Sequence, residues 1–371
     1  MKILYVTTIS DTVNSFLIPH IKMLVDLGNQ VDVAFNINQE VRPEIIDMGC
    51  KIHILDFQRS PININNYVAY KKLKKIIRNE KYELVHTHTP VASAIVRLAC
   101  KNVKDIKVFY TAHGFHFFKG APLKNWLIYY TVEKWLSRYT DVIITINKED
   151  YKRAKKSFKA KKVEYVPGVG LDITRFQSLS TDKYKKRNEI GIPENSFVIL
   201  SVGELNKNKN HEIIIKAIYK LQNKNIQYII CGVGPLKDYL NKLIKKLSLQ
   251  NQVHLLGYRN DIDEICKASD IFAFPSKREG LGLAALEAMA SGLPIITSNV
   301  HGIVDYSING ITGYRCNPND QKGFEIFINK LNEQPKDRIK IGRTNQELVK
   351  QFDINKVMTL MKKIYLNNII S

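Results

Sequence analysis

Short apolar runs of strand length alternate with longer amphipathic segments along nearly the whole chain, and this alternation constrains the fold more than any other feature. It is the pattern of a parallel sheet whose strands are joined by crossover helices. Lys2–Thr7 (KILYVT) reads as a first strand, a helix-period stretch runs through Leu27 and stops at Gly28, and Gln30–Phe35 (QVDVAF) completes one βαβ unit. Further strands read at Leu84–His86, Val108–Thr111, Val142–Ile146 and Val163–Val166. After Pro167 the texture changes. Gly168–Asn195 is polar, rich in Lys and punctuated by Gly168, Gly170, Gly191 and Pro193, which reads as a hinge and linker. A second βα series opens at Phe197–Val202 and continues through Gln227–Cys231, Val253–Leu256, Ile271–Phe274 and Pro294–Thr297.

A chain of 371 residues exceeds the size at which one core stops growing, so two domains are expected. Their boundaries read as a Rossmann-like domain at 1–170, a linker at 171–195, a second Rossmann-like domain at 196–352, and a helix-periodic segment at 353–371. Met1–Ser10 turns polar too soon for a secretory signal, and no stretch approaches the ~18 apolar residues of a spanning helix. The expectation is a cytoplasmic protein, peripheral at most to the inner face of the plasma membrane. The five cysteines are widely spaced, fit neither a disulfide framework nor a zinc pattern, and read as buried thiols. The net charge of +21 asks for a reason: solvated Lys-rich helix faces such as Lys71–Arg78, anionic lipid, or phosphorylated small molecules. Nucleic acid is set aside, because no helix-turn-helix, zinc or aromatic-sheet signature accompanies the charge.

The segment Glu279–Gly292 (EGLGLAALEAMASG) carries the site chemistry. It follows a short strand, and Gly280 and Gly282 precede a run of helix formers. Such a junction exposes unpaired backbone N–H groups and the positive end of a helix dipole, which suit a phosphate or diphosphate. Two acids flank it. Glu287 lies eight residues beyond Glu279, up to about 12 Å along a helix axis, so the two can serve opposite ends of one ligand. Carboxylates accept hydrogen bonds from vicinal hydroxyls, as a sugar and a ribose present them. Glu287 also interrupts an apolar run, where a carboxylate needs a partner.

The spacing Glu279-x7-Glu287, the Ala288–Pro294 sequence after it and Asp305–Gly313 resemble the donor site of glycosyltransferase family 4. Ser201–Gly203 with Lys209, Gly232-x-Gly234-Pro235, and Gly257–Tyr258 onward to Asp270 resemble the family's preceding motifs in order, so the likeness covers nearly the whole chain. The resemblance implies the GT-B fold, two doubly wound Rossmann-like domains facing each other across a cleft, and a retaining, metal-independent transferase. It implies that Glu287 binds the nucleotide ribose and that Glu279, with the backbone of Gly280, Leu281, Gly282 and Leu283, holds the donor sugar. Lys209 would face the diphosphate, and Gly203, Gly257, Tyr258 and Arg259 would meet the nucleotide. An ammonium there neutralises the leaving phosphate, the work a metal would otherwise do. Where the family usually has an arginine this chain has Glu204, with Lys207 or Arg278 as substitutes.

Thr111–Gly114 (TAHG) ends a strand and resembles the family's T-x-H element, which assigns His113 to the reaction centre as a group that positions substrates. A core histidine with its hydrogen bonds satisfied is the plain alternative. No acidic cluster completes a metal site with His86, His88, His113 or His116, and no cofactor is expected. Phe115–Tyr139 mixes aromatics with Lys119, Lys124, Lys134 and Arg138, the composition either of an interfacial rim near anionic lipid or of a helix with an aromatic core face. Within the family the pattern is closest to bacterial capsule and exopolysaccharide enzymes. That implies a nucleotide-sugar donor, most simply a UDP-sugar, a hexose or N-acetylhexosamine as the transferred unit, and a glycan or lipid-linked acceptor. By the same resemblance the last helix packs back on the first domain. Thr8–Ser15 reads as a polar loop lacking the family's double glycine. A sugar-nucleotide epimerase on the same fold and a non-catalytic polyanion-binding protein are the competing readings.

Overall fold

The computed structural model describes residues 1–369, and the chain divides into two compact units. One is Met1–Gly170 together with the helix Ile354–Ile369; the other is Leu171–Asp353.

The first unit is built on seven parallel strands: β1 (Lys2–Ile9), β2 (Gln30–Asn36), β3 (Ile52–Ile54), β4 (Leu84–His88), β5 (Lys107–Ala112), β6 (Val142–Thr145) and β7 (Lys162–Tyr165). Their order is β3-β2-β1-β4-β5-β6-β7, so the direction of winding reverses between β1 and β4. The central strands β1, β4 and β5 are buried along nearly their whole length, including the polar Thr7, His86, Thr87 and His88, because helices cover both faces. Helices Asn65–Glu80 and Pro90–Cys100 cover one face, packing Ala69, Leu73, Ile77, Ala92 and Val96 against Leu4, Val6, Val85 and Val108. On the opposite face Tyr5, His86 and Phe109 meet Tyr365 of the helix Ile354–Ile369, which also packs on Ile18–Asp26. The last two residues of the segment expected to form this helix, 370 and 371, lie outside the described residues.

The second unit has six parallel strands: β8 (Phe197–Val202), β9 (Ile226–Cys231), β10 (Val253–Gly257), β11 (Ile271–Phe274), β12 (Ile295–Ser298) and β13 (Gly313–Cys316). Their order is β10-β9-β8-β11-β12-β13, and winding reverses between β8 and β11. Open α/β sheets bind ligands beyond the carboxyl ends of the strands at such a reversal.

Two expectations need correction. Residues 171–195 are not a linker. They form helices Ile173–Gln177 and Lys183–Glu189, N-capped by Asp172 and Asp182, within the second unit. Arg187 is buried and donates to the carbonyls of Ala268 (2.9 Å) and Ser196 (2.8 Å) and to Asp270 (2.7 Å). Lys186 pairs with Asp261 at 2.6 Å and Glu264 at 2.7 Å. Composition shows the charges but not the acids Asp261, Glu264 and Asp270 that hold them, which lie beyond β10. Nor is Thr8–Ser15 a loop, since β1 continues to Ile9 and Ser10 opens a helical passage with a π-turn at Val13–Leu17. Its polar side chains are anchors: Ser10 Oγ donates to the Gln39 carbonyl at 2.7 Å and Asn14 Nδ2 to the Glu40 carbonyl at 2.8 Å.

All five cysteines are buried thiols. Among the described residues no helix is long and apolar enough to cross a membrane.

Candidate functional site

In the second unit the loops after β8, β9 and β11 converge at the switch point. The loop after β8 is held from within by Asn206, whose Oδ1 accepts from the backbone N–H groups of Asn208 and Lys209, each at 2.9 Å. It is fastened to the loop after β11 by Asn208, whose Nδ2 donates to the Arg278 carbonyl (2.9 Å) and whose carbonyl accepts from Lys277 N–H (2.8 Å). Asn210 Nδ2 adds bonds to the carbonyls of Pro275 (3.2 Å) and Pro318 (2.8 Å). The result brings Lys209 Nζ to 2.5 Å from Glu279 Oε1, with the ammonium 4.9 Å from the centre of the Phe274 ring. Gly203 and Gly232 permit the close approach of the β8 and β9 loops, because a Cβ on Gly232 would lie 2.0 Å from the Gly203 carbonyl oxygen.

The helix Leu283–Ala290 starts from this junction. Gly282 precedes it with φ +93° and no side-chain cap, and a Cβ there would stand 2.5 Å from the Phe274 ring. Leu281 buries its side chain in the core and so pins the turn, while the Glu279 carbonyl accepts from Gly302 N–H at 3.1 Å. One face of this helix carries Glu287, half-buried and without a side-chain hydrogen bond or ion pair to any described residue. Burial pushes its carboxyl up to about 7, against the pull of the nearby Arg175 guanidinium, which is itself bonded to Asp263 at 2.8 Å. A carboxylate in this state has unused acceptor capacity.

Beside these loops Gly203, Tyr258 and Arg259 line a cavity of about 290 Å³ together with Glu204, Gly232 and Ile262. Tyr258 is 74% exposed, and Gly257 ends β10 with its carbonyl accepting from Gly232 N–H at 2.7 Å. The Arg259 guanidinium is already committed, to Asp261 at 2.5 Å and Glu189 at 3.3 Å, which leaves backbone as the main offering of that loop. Glu204 bonds Asn206 Nδ2 at 2.8 Å, while the side chains of Lys207 and Arg278 have no hydrogen-bonding partner among the described residues. Sequence reasoning did not single out Asn206, Asn208 or Asn210. Their alternation with lysines (NKNKN, 206–210) was the available signal.

In the first unit β4 and β5 end in a histidine cluster. His88 Nδ1 lies 3.0 Å from His113 Nε2, and His86 Nε2 lies 2.8 Å from Thr111 Oγ1. His86 Nδ1 also bonds Tyr365 Oη, which stands 2.5 Å from Tyr5 Oη. Burial drives His86 and His88 well below the usual imidazole range and lowers His113 to about 4, so all three rings are neutral near pH 7. The His116 ring lies 4.8 Å from that of Tyr129, tilted by 31°. Among the described residues no group of three or more His, Cys, Asp and Glu side chains is arranged to hold a metal ion.

The aromatic stretch divides. Phe115, Phe117 and Phe118 are core residues, whereas Leu123 (74% exposed), Leu127 (67%), Ile128 (58%), Val132 and Trp135 face outward among Lys124, Lys134 and Arg138.

Over residues 182–348 the chain matches the family described as "Glycosyl transferases group 1", and over residues 2–147 the one described as "Glycosyl transferase 4-like". EpsD of Bacillus subtilis (strain 168) is 35% identical over 370 residues, which cover 98% of this chain and 96% of EpsD. A relative from Escherichia coli, named UDP-Gal:alpha-D-GlcNAc-diphosphoundecaprenol alpha-1,3-galactosyltransferase, is 31% identical over 309 residues, 81% of this chain and 79% of the relative. Anabaena HepE, solved with UDP and glucose, aligns with a TM-score of 0.81 at 19% identity over 99% of this chain and 100% of HepE, which establishes the shared fold.

Proposed function

The chain belongs to the glycosyl transferase 4-like family of GT-B enzymes, and from that membership we propose that it moves a hexose or N-acetylhexosamine from a UDP-sugar to a lipid-linked or polysaccharide acceptor in capsule or exopolysaccharide synthesis. The observation that carries the reading is the Lys209–Glu279 pair at the strand ends, followed along the same turn and helix by the unpartnered carboxylate of Glu287. The UDP in HepE and the UDP-galactose and lipid diphosphate in the name of the E. coli relative support the donor and acceptor classes.

In this reading Glu287 accepts from the ribose hydroxyls, and Glu279 with the backbone of Gly280–Leu283 accepts and donates around the sugar. Lys209 turns from Glu279 toward the diphosphate and stabilises negative charge on it as the C1–O bond breaks. Lys207 and Arg278 add positive charge where Glu204 replaces the family's arginine, so no divalent cation is required. The acceptor hydroxyl forms the new bond to C1 from the face the diphosphate leaves, and its proton passes to a departing phosphate oxygen. The anomeric configuration is therefore retained. His113 positions substrates and takes no proton, in keeping with a ring that is neutral well below pH 7.

Equilibrium binding of UDP, GDP and ADP in EDTA tests the donor site. The expected result is selective UDP binding that falls at least tenfold in Glu287→Ala. Metal-free binding that survives the substitution and follows ionic strength alone would leave a polyanion-binding surface in its place.

An anionic lipid surface belongs to the same reading. The helices Asn65–Glu80, Pro90–Cys100 and Thr131–Leu136 pack in sequence on one face of the first unit. The exposed Trp135 packs on Tyr139 at 5.6 Å, Lys101 covers that ring at 4.9 Å, and Lys101 lines a groove of about 490 Å³ with Tyr67, Tyr70, Lys74 and Arg78, while Leu127 and Ile128 are exposed on the preceding turn. Apolar residues ringed by cations match anionic headgroups. Sedimentation with vesicles containing phosphatidylglycerol, compared with pure phosphatidylcholine, should show selective binding that Leu127→Glu abolishes; equal binding to both compositions would refute it.

A further inference from the structure

We propose that His88 is a positioning residue that fixes the tautomer of His113, so that His113 meets its substrate as an N–H donor from Nδ1. The inference rests on the assignment of His113 to the transfer site.

The number of protons on the two rings decides the tautomer. In a hydrogen bond between two neutral imidazoles one nitrogen donates and the other accepts. His88 Nδ1 and His113 Nε2 are 3.0 Å apart, and neither ring is protonated twice at neutral pH because burial disfavours both cations. His88 has one further nitrogen, Nε2, which is buried and makes no hydrogen bond to any described residue. If that nitrogen carried the proton, a bare N–H would be sealed in the core, and such orphaned donors are rare and costly. The proton therefore sits on His88 Nδ1 and is donated to His113. With Nε2 occupied as an acceptor, the one proton of His113 lies on Nδ1. That atom makes no hydrogen bond to any described residue and is not among the buried unpaired atoms, so it is left to a ligand.

The surroundings keep His88 from relaxing into another arrangement. Its ring stacks on Tyr5 at 5.4 Å and lies 4.4 Å from His86. His86 is held at both nitrogens, by Thr111 Oγ1 and Tyr365 Oη. The register of β4 on β5 sets His88 opposite Thr111, two residues before His113, so the sheet itself delivers the pair. His20, the other histidine acting on this cluster, bonds the Val169 carbonyl at 2.9 Å and supplies no alternative partner to His88. The consequence for transfer is specific: His113 has no free basic nitrogen, and its exposed function is donation to an oxygen of donor or acceptor.

The test combines a spectrum with kinetics. Long-range ¹H–¹⁵N correlation on histidine-labelled protein at pH 7.5 should show His113 protonated at Nδ1. His88→Leu should lower kcat roughly 10- to 100-fold through lost orientation, leave UDP affinity unchanged, and mix the His113 tautomers. His88→Gln, whose amide N–H can still donate to His113 Nε2, should recover most of kcat. An Nε2–H tautomer in the wild type overturns the inference whatever the variants do. So does a His88→Leu enzyme with wild-type kcat while His113→Ala is impaired. If His113→Ala itself transfers normally and UDP still binds, the assignment of His113 fails while the donor site stands.

Discussion

Both units carry polar side chains at the carboxyl ends of their strands, next to the reversal of winding, yet they treat them differently. In the second unit the side chains of Glu287, Lys207 and Arg278 make no hydrogen bond to any described residue, and the Lys209 ammonium bonds another site residue, Glu279. In the first unit the polar groups bond mainly to one another: Tyr5 to Tyr365, Tyr365 to His86, His86 to Thr111, and His88 to His113. Unused hydrogen-bonding capacity beside a half-buried carboxylate is the mark of a site completed by its ligand. A closed network orients instead, and exposes only what remains at its end, here His113 Nδ1. On this contrast, substitutions in the second unit should act on nucleotide binding and charge development, and those in the first on orientation.

The largest effect is expected at Lys209. Lys209→Ala should lower kcat roughly 10²- to 10³-fold, as removal of one preorganised charge-stabilising group does, with UDP affinity changed less than tenfold. A drop confined to UDP affinity would make Lys209 a binding group only and weaken the contrast. Next comes Gly282→Ala. The added methyl meets the Phe274 ring at 2.5 Å in a backbone with φ +93°, which should cost about 2–4 kcal/mol from left-handed strain and overpacking together. Thermal unfolding should show the loss, and UDP binding should weaken in the same variant because the helix start moves.

Glu287→Gln gives a smaller effect with a sign that depends on pH. In the folded protein the carboxyl titrates at about 7, against an ordinary 4.5. Between those values the folded state holds a proton the unfolded chain has released, so wild-type stability falls as pH rises through this window. Glutamine does not share the penalty. The variant should be more stable than wild type by about 1–3 kcal/mol at pH 8 and equal to it near pH 4. UDP at pH 8 should narrow or reverse the order, because ribose hydroxyls supply the carboxylate with partners. An advantage as large at pH 4 as at pH 8 would mean better packing and would remove the argument from an unpartnered charge.

The turn and helix that carry Glu279 and Glu287 were legible because their requirements are local. Two glycines, two acids eight apart and a helix-forming run stand within one short segment, and the strands that deliver them are unbroken apolar runs. The rest depended on partners distant in sequence. Polar residues such as Arg187 and Lys186 give 171–195 the composition of a linker, whereas in the fold Asp270, Asp261 and Glu264 hold them. Arg259 was a candidate ligand contact by position, but Glu189 and Asp261 occupy its guanidinium. The short strands β3 and β13 carry three and four residues, too few for a period to register. The histidine network includes Tyr365, which no pattern near His86 or His88 announces.

Tyr365 supplies the smallest effect and the sharpest test of what that network does. Its hydroxyl bonds both Tyr5 Oη and His86 Nδ1, 360 positions from the first and 279 from the second. Tyr365→Phe leaves ring packing against Phe109 in place and removes only the oxygen. It should cost about 1–2 kcal/mol, since Tyr5 Oη and His86 Nδ1 are then buried without that partner. His86 keeps its bond to Thr111 and still backs His88, so kcat should fall no more than a few-fold and UDP affinity not at all. If kcat instead falls as far as in His88→Leu, the orientation of His113 is set through the whole chain of hydrogen bonds from the last helix. The positioning unit would then extend beyond β4 and β5 to include Ile354–Ile369.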